Sequence, residues 1–222
     1  MKKFFFYSFG QLGTGDTHDR VFPINLKSLN TQRACYISCG EEYTAVLTRD
    51  GGVFTFGAGM YGQLGHNSSN NEDLPRKVFD LMGSEVTQIS CGRCHTLAYL
   101  KSSNKLYSFG LCGNGQLGLG TVSANKLTPF EIKNLDLSKF NTVINNKNHK
   151  YLHSIYAGGD QSFILYTNVS SVKHSVQNKH ESIWAISAKL KVFLNLKEHG
   201  NSLNCKFIYF AESIKFHVKI YF

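Results

Sequence analysis

Apolar and polar residues alternate in short runs along this chain, as in Tyr43-Thr44-Ala45-Val46-Leu47-Thr48 and Val53-Phe54-Thr55-Phe56. A period of two puts successive side chains on opposite faces of an extended backbone. β-Branched and aromatic residues fill these runs, and Gly, Asn, Asp and Ser fill the gaps, which is strand and turn chemistry. In the central part of the chain the pattern predicts four strands, at about 34–39, 43–48, 52–56 and 76–79. Helical spacing is weak throughout, so the predicted class is all-β.

The strand set recurs. Gly-Gln-Leu-Gly starts at Gly10, Gly62 and Gly115, at separations of 52 and 53 residues. A Phe-Gly pair closes a strand-like run at Phe9-Gly10, Phe56-Gly57 and Phe109-Gly110. A step of small residues precedes a strand at Ser38-Cys39-Gly40, Ser90-Cys91-Gly92 and Ala157-Gly158-Gly159. Gly40 to Gly92 is 52 residues and Gly92 to Gly159 is 67, so one unit carries an insertion of about fifteen residues, placed near 134–152. In the first copy Phe9 and Gly10 are adjacent and Gly10 serves both marks; the loop there is shortened.

Four-stranded units in series with an aromatic-Gly mark describe propeller blades. The prediction is a partial β-propeller over residues 1–166, followed by an unassigned basic tail, 167–222, with a leaning to β structure. In the tail, Lys189–Leu194 and Ile214–Tyr221 alternate Lys with apolar residues, as strands with one wet face would.

The repeat assigns structural work to specific residues. Gly57, Gly62 and Gly65 surround a tight reversal, where φ > 0 is expected and a Cβ would clash, and Gly10, Gly13, Gly110, Gly115 and Gly118 mark the other repeat turns. Between Gly62 and Gly65, Leu64 is expected to turn inward and Gln63 to bond backbone groups of the turn, and Gln116 and Leu117 are repeat-turn residues of the next copy. Gly40, Gly92 and Gly159 mark the small step before a strand. His95 falls in phase with Tyr43 and Ser162 and is expected to pack and hydrogen-bond within the blades.

Charge changes the picture little. The chain has a net charge of +9, with 42% hydrophobic and 18% charged residues, which is a globular composition. The first 166 residues carry a net +4 and the last 56 carry +5. The tail Lys are spread singly among apolar residues, without a cluster and without Arg, which argues against nucleic acid as a partner. No run approaches the roughly 18 apolar residues needed to span a bilayer. The start, Met1-Lys2-Lys3 and Phe4-Phe5-Phe6-Tyr7, imitates a signal peptide, but its apolar run is short and the repeat explains it better. The expected setting is cytoplasmic, with the nucleus as second choice. Six Cys at unrelated spacings fit that setting.

Several motifs suggest chemistry that their context removes. Gly57-Ala58-Gly59-Met60-Tyr61-Gly62 follows a strand, but turn residues come next where a nucleotide site needs a helix N-terminus. Cys91-Gly92-Arg93-Cys94-His95 has haem-attachment spacing, yet Cys91 and His95 are repeat positions, and no second Cys/His pair supplies a zinc site. No catalytic, cofactor-binding or metal-binding residues are therefore assigned. The sequons Asn67-Ser68-Ser69 and Asn168-Val169-Ser170 carry no meaning without secretion.

The motifs Cys91-Gly92-Arg93-Cys94-His95-Thr96 and Tyr107-Ser108-Phe109-Gly110, followed by Gly115-Gln116-Leu117-Gly118, resemble the repeats of the regulator of chromosome condensation. Gly51 to Gly59, Asp80 to Ile89 and Gly158 to Phe163 are similar to the last propeller blades of the small HERC (HECT and RCC1-like domain) ubiquitin ligases. The resemblance covers about residues 4–166. It implies a seven-bladed propeller in a ligase whose catalytic HECT domain lies elsewhere. This chain holds too few repeats to close a ring and has no HECT domain.

The expected function is a non-catalytic scaffold that binds substrates or regulators of ubiquitin or ubiquitin-like conjugation. Its expected contact loops are 66–74 and 111–114 and the insert near 134–152. Two other readings remain open: a nucleotide-exchange or chromatin-binding factor of the regulator type, and a truncated product without a function of its own. Open blade edges are expected to invite self-association.

Overall fold

The computed structural model describes residues 9–120, 124–133, 143–144, 148–170 and 180–185. Among these, the chain forms three antiparallel four-stranded sheets, each with strands in chain order. The first blade holds β1 (Ala34–Cys39), β2 (Tyr43–Thr48), β3 (Val53–Gly57) and β4 (Glu72–Lys77). The second holds β5 (Val86–Cys91), β6 (His95–Leu100), β7 (Lys105–Gly110) and β8 (Lys126–Glu131). The third holds β9 (Val143–Ile144), β10 (Asn148–Ala157), β11 (Ser162–Ser170) and β12 (His180–Ala185). Helix is limited to 3-10 turns at Lys27–Leu29 and Phe79–Leu81 among the described residues. No helix among them is long and apolar enough to cross a membrane. The fold is an all-β stack of propeller blades.

The blades pack face to face, which changes the meaning of the alternation. Every residue of β2 and of β6 is buried, hydroxyls included. In β6, Ala98 and Leu100 join a core with Tyr43, Ala45, Leu47 and Ile89 of the first seam. Leu97 and Tyr99 point the other way, into a core with Leu152, Ile155 and Ile164. A middle blade thus has a core on both sides, and each buried large apolar side chain contributes ~1.5–3 kcal/mol. Thr48 survives in this setting because its hydroxyl donates to Gly52 O at 3.0 Å.

Three expectations need correction. The fourth strand is Glu72–Lys77, not 76–79. Its sequence, Glu-Asp-Leu-Pro-Arg-Lys, is charged and holds a proline; this is the outer edge strand, half exposed, where neither is penalised.

The third repeat copy is one residue out of phase with the sequence reading. Cys39 pairs with Thr44, Cys91 with Thr96 and Ala157 with Ser162. The N–H of Gly40, Gly92 and Gly158 donates to the carbonyl of Tyr43, His95 and Gln161 in turn. Gly158, not Gly159, therefore holds the small-residue position, and Gln161, not Ser162, matches His95. Two successive glycines offer no side chain to fix the phase, and Gly159 has open space around it.

The third blade is also built differently. β10 and β11 match the β5–β6 hairpin, β12 stands where a third strand belongs, and β9 is added ahead of them. This sheet carries the chain past residue 166, so β12 lies within the stretch assigned to the tail. Phe4–Tyr7, Lys189–Leu194, Ile214–Tyr221 and most of the expected insert lie outside the described residues.

Candidate functional site

The turns come first, because they aim the loops. Gly62 and Gly65 have φ of +83° and +75° and donate to Gly59 O and Gly62 O at 2.7 and 3.0 Å. Gln63 Oε1 accepts the N–H of Tyr61 at 2.9 Å, Gln116 Oε1 that of Asn114 at 2.8 Å, and Gln11 Oε1 that of Phe9 at 3.2 Å. Leu64 and Leu117 are fully buried. Gly10, Gly13, Gly110, Gly115 and Gly118 also have positive φ. Gly57 shows why the residue type is fixed: at φ +107° a Cβ there would stand 2.6 Å from the Cα of Tyr43.

One hydroxyl position closes each seam. Thr44, Thr96 and Ser162 donate to the carbonyls of Gln11, Gln63 and Gln116 at 2.9, 2.8 and 2.7 Å. Each acceptor belongs to the turn of the preceding unit. A second residue then clasps the seam from the other side. Tyr43 Oη donates to His95 O at 2.6 Å and lies 2.9 Å from Thr96 Oγ1. One unit on, His95 Nε2 lies 2.9 Å from Ser162 Oγ. Ser162 spends its one proton on Gln116 O, so His95 Nε2 must carry a hydrogen and donate. The imidazole is neutral: burial pushes its pKa down to about 4, against a smaller opposing pull from Asp160. His95 is fully buried, and its Nδ1 has no partner among the described residues. Its role is therefore to hold two blades together.

A cavity of about 700 Å³ opens over the first seam, on the face formed by the β1–β2, β3–β4 and β5–β6 loops. Glu41, Glu42, Met60, Tyr61, Arg93 and Cys94 line it together with Phe9, Ala58, Gln63, Ser69, Asn71 and Leu111. The loops are laced together across blades. Glu41 N donates to Arg93 O at 3.2 Å, and Arg93 N donates to Gly159 O at 3.0 Å. The Arg93 guanidinium pairs with Asp160 at 2.6 Å and stands 3.9 Å from Glu41.

The repeats themselves separate framework from face. At in-phase positions the turn residues keep their identity: Gly57 and Gly110, Gln63 and Gln116, Leu64 and Leu117. Four positions that line the cavity change in charge or size: Glu41 against Arg93, Glu42 against Cys94 and Asp160, Met60 against Gly113, Tyr61 against Asn114. Among the described residues, the expected contact loops touch this cavity through Ser69, Asn71 and Leu111. Sequence reasoning gave Glu41, Glu42, Met60, Tyr61, Arg93 and Cys94 no contact role. The signal was present as the positions where the repeat disagrees with itself.

The face is poorly suited to nucleophilic chemistry. Burial, then the charge of Glu41, raises the Cys94 thiol, and burial pushes the Cys91 thiol up to about 11. A thiol in that state holds little thiolate at neutral pH. Gly57–Gly62 leads into a turn, not a helix. No group of three His, Cys, Asp or Glu side chains with metal-binding geometry occurs among the described residues.

A sequence-family model for the regulator of chromosome condensation (RCC1) repeat matches residues 7–47 and 50–99, and a second model of that repeat matches 86–116. The chain is 54% identical over 166 residues to the probable E3 ubiquitin-protein ligase HERC4 of Rattus norvegicus, an overlap of 73% of this chain and 16% of that protein. It is 50% identical over 167 residues to the probable E3 ubiquitin-protein ligase HERC3 of Homo sapiens, covering 72% of this chain and 16% of the relative. The chain thus spans about a sixth of the length of these relatives. The crystal structure of human WBSCR16 shares the fold, with a TM-score of 0.55 at 20% identity over 80% of this chain and 40% of that one.

Proposed function

The chain belongs to the regulator of chromosome condensation repeat family, and from that premise we propose that it is a non-catalytic scaffold that binds other proteins through the loop face over its first seam. Its repeats are similar to those of HERC ubiquitin ligases, so the proposed partners are substrates or regulators of ubiquitin or ubiquitin-like conjugation, met in the cytoplasm. The observation that carries this reading is the contrast between in-phase positions. The turn residues Gly57, Gln63 and Leu64 recur as Gly110, Gln116 and Leu117, while Glu41, Glu42, Met60 and Tyr61 of the cavity differ in charge or volume from their in-phase residues. A face used only to close a turn has no need to vary in this way. The raised thiols of Cys91 and Cys94 support the non-catalytic part.

The test compares affinity capture by the wild-type chain with capture by a variant carrying Met60→Asp and Glu42→Lys. Both side chains are exposed, so the fold should persist. Proteins of the conjugation pathway should be retained by the wild type and lost by the variant. A reducible ubiquitin adduct on the chain, formed with activating and conjugating enzymes, would sink the non-catalytic claim. Equal capture by both chains would remove this face from the reading.

A further inference from the structure

The stretch that leads into a blade folds alike in two units but carries contrasting chemistry. A 3-10 turn spans Lys27–Leu29 ahead of the first blade and Phe79–Leu81 ahead of the second. The two are in phase, as are Ala34 and Val86, which open β1 and β5. Leu81 is 2% exposed and pins the second turn into the core of the first seam. Around it the residues differ. Lys27, Ser28, Asn30 and Arg33 of the first unit stand where the second has Phe79, Asp80, Met82 and Glu85. The third unit sides with the first where it can be compared. Ile132 N donates to Leu106 O as Val78 N donates to Val53 O, and Lys133 then stands in the place of Phe79. A basic, polar turn has become apolar and acidic in the second unit.

Phe79 is 62% exposed and Met82 57%. Met82 N donates to Phe79 O at 2.8 Å, and positions three apart lie on one side of a 3-10 turn. Scattered exposed apolar side chains are ordinary, but a pair on one fixed turn, where the first unit carries Lys and Asn, marks a contact surface. Beside the pair lies a notch of about 260 Å³, whose lining includes Asp50, Lys77, Met82, Gly83 and Glu85. Asp50 belongs to the β2–β3 turn and Lys77 ends β4, so the notch opens at the opposite end of the strands from the loop-face cavity. Asp80 and Glu85 are exposed and make no ion pair among the described residues. The Thr48 hydroxyl donates to Asp50 at 2.5 Å and holds that carboxyl below its ordinary range. Lys77 offsets part of this charge, and its ammonium also stands 5.9 Å from the ring centre of Phe54. Arg33 and Arg49 line a different cavity, which shares Asp50 with this one. An apolar, acidic patch thus sits on a chain of net charge +9.

We propose that the Phe79–Glu85 turn and its notch form a docking site, separate from the loop face, for a partner segment that alternates apolar residues with Lys or Arg. An apolar side chain of the partner covers Phe79 and Met82, and the flexible thioether of Met82 adapts to its shape. A neighbouring cation enters the notch and meets Glu85 and Asp50, while Asp80 adds to the attraction. The apolar pair supplies the affinity, and the carboxylates select the sign of the partner. None of these residues lines the loop-face cavity, so either site can fail without the other.

Two fluorescein-labelled peptides, one alternating Lys with Phe and one alternating Glu with Phe, are titrated into the intact chain, and anisotropy is read. The Lys peptide should bind saturably and the Glu peptide should not. A chain carrying Phe79→Lys and Met82→Asn has the residues of the first unit, which forms the same turn with them. It should keep its unfolding midpoint and its capture of partners by the loop face, and bind the Lys peptide about tenfold more weakly. Glu85→Gln, at an exposed position, should cause a smaller loss that shrinks as salt rises. No binding, equal binding of the two peptides, or equal binding by the Phe79→Lys, Met82→Asn chain overturns the proposal. So does a loss of binding with Met60→Asp, which would put the peptide on the loop face. Tighter binding after Lys189→Glu and Lys191→Glu would make this chain's own tail the occupant, and a dimer that dissociates with Phe79→Lys and Met82→Asn would make it a second copy; either result overturns the proposal as well.

Discussion

The first seam is clasped by a tyrosine and the second by a histidine, at the same position of the same repeat. Tyr43 reaches across to Thr96 and His95 O; His95 reaches across to Ser162. Both side chains are almost completely buried, and both bring one hydrogen to the next blade. They differ in what else they can do. Burial drives the tyrosine phenol well above its ordinary range, so it stays neutral throughout the range in which the fold is used. The imidazole stays neutral only while the solvent is not too acidic. One architectural task can thus be met by two chemistries, and the choice sets how the seam responds to pH. It also sets what is lost when the clasp is removed, since the phenol fills more space than the imidazole.

The largest expected effect breaks the two clasps outright. Tyr43→Ala should cost ~3–5 kcal/mol, as truncation of a fully buried aromatic does, because it opens a void in the first core and removes the bond to His95 O. His95→Ala removes a smaller ring and should cost about half of that, mainly by leaving Ser162 without its donor. Denaturant unfolding of both variants checks the order. A larger loss at His95 would mean that the second seam, not the first, holds the stack.

The next effect is pH dependence, centred on His95 of the second seam. His95 has a folded pKa of about 4 against an ordinary value of 6.5. Between those values the unfolded chain binds a proton that the folded chain refuses, so stability falls as pH falls from about 6.5 towards about 4. Complete expression of that shift corresponds to about 3 kcal/mol. His66 acts in the same direction, its pKa lowered by burial and then by Arg76. His95→Gln keeps an N–H donor for Ser162 but cannot titrate. Thermal unfolding at pH 7 and pH 5 should show a clear acid loss for the wild type and a much smaller one for His95→Gln. A variant that loses as much as the wild type would show that His95 is not the group that titrates.

These seams were only half legible in the sequence. Strands β1 and β2 read clearly, because Tyr43 to Thr48 alternates in strand chemistry and glycines bound it. β4 did not read, because an edge strand with one paired side is free to be Glu-Asp-Leu-Pro-Arg-Lys. The turn glycines announce themselves because backbone geometry permits nothing else there. The clasp partners do not, because a hydrogen bond between residues 52 or 67 positions apart depends on how blades pack, and composition carries no trace of that. The slip at Gly158-Gly159 hid the match between Thr96 and Ser162, without which the common hydroxyl position could not be seen. The variable face needed the opposite habit of reading, attention to where the copies differ.

The smallest expected effect sharpens the comparison from the outside. Arg93 spans both seams on the loop face, paired with Asp160 of the third blade and near Glu41 of the first. Its side chain is 46% exposed, so water and salt screen these pairs. The loops are also tied by main-chain bonds that any residue at 93 would make, Glu41 N to Arg93 O and Arg93 N to Gly159 O. Arg93→Ala should therefore leave the unfolding midpoint unchanged within error, at low salt and at high salt alike, while altering capture of partners by the face it helps to line. A marked loss of stability at low salt that vanishes at high salt would reverse the assignment. The second seam would then depend on an ion pair at its rim, and the buried imidazole of His95 would be a passenger in it.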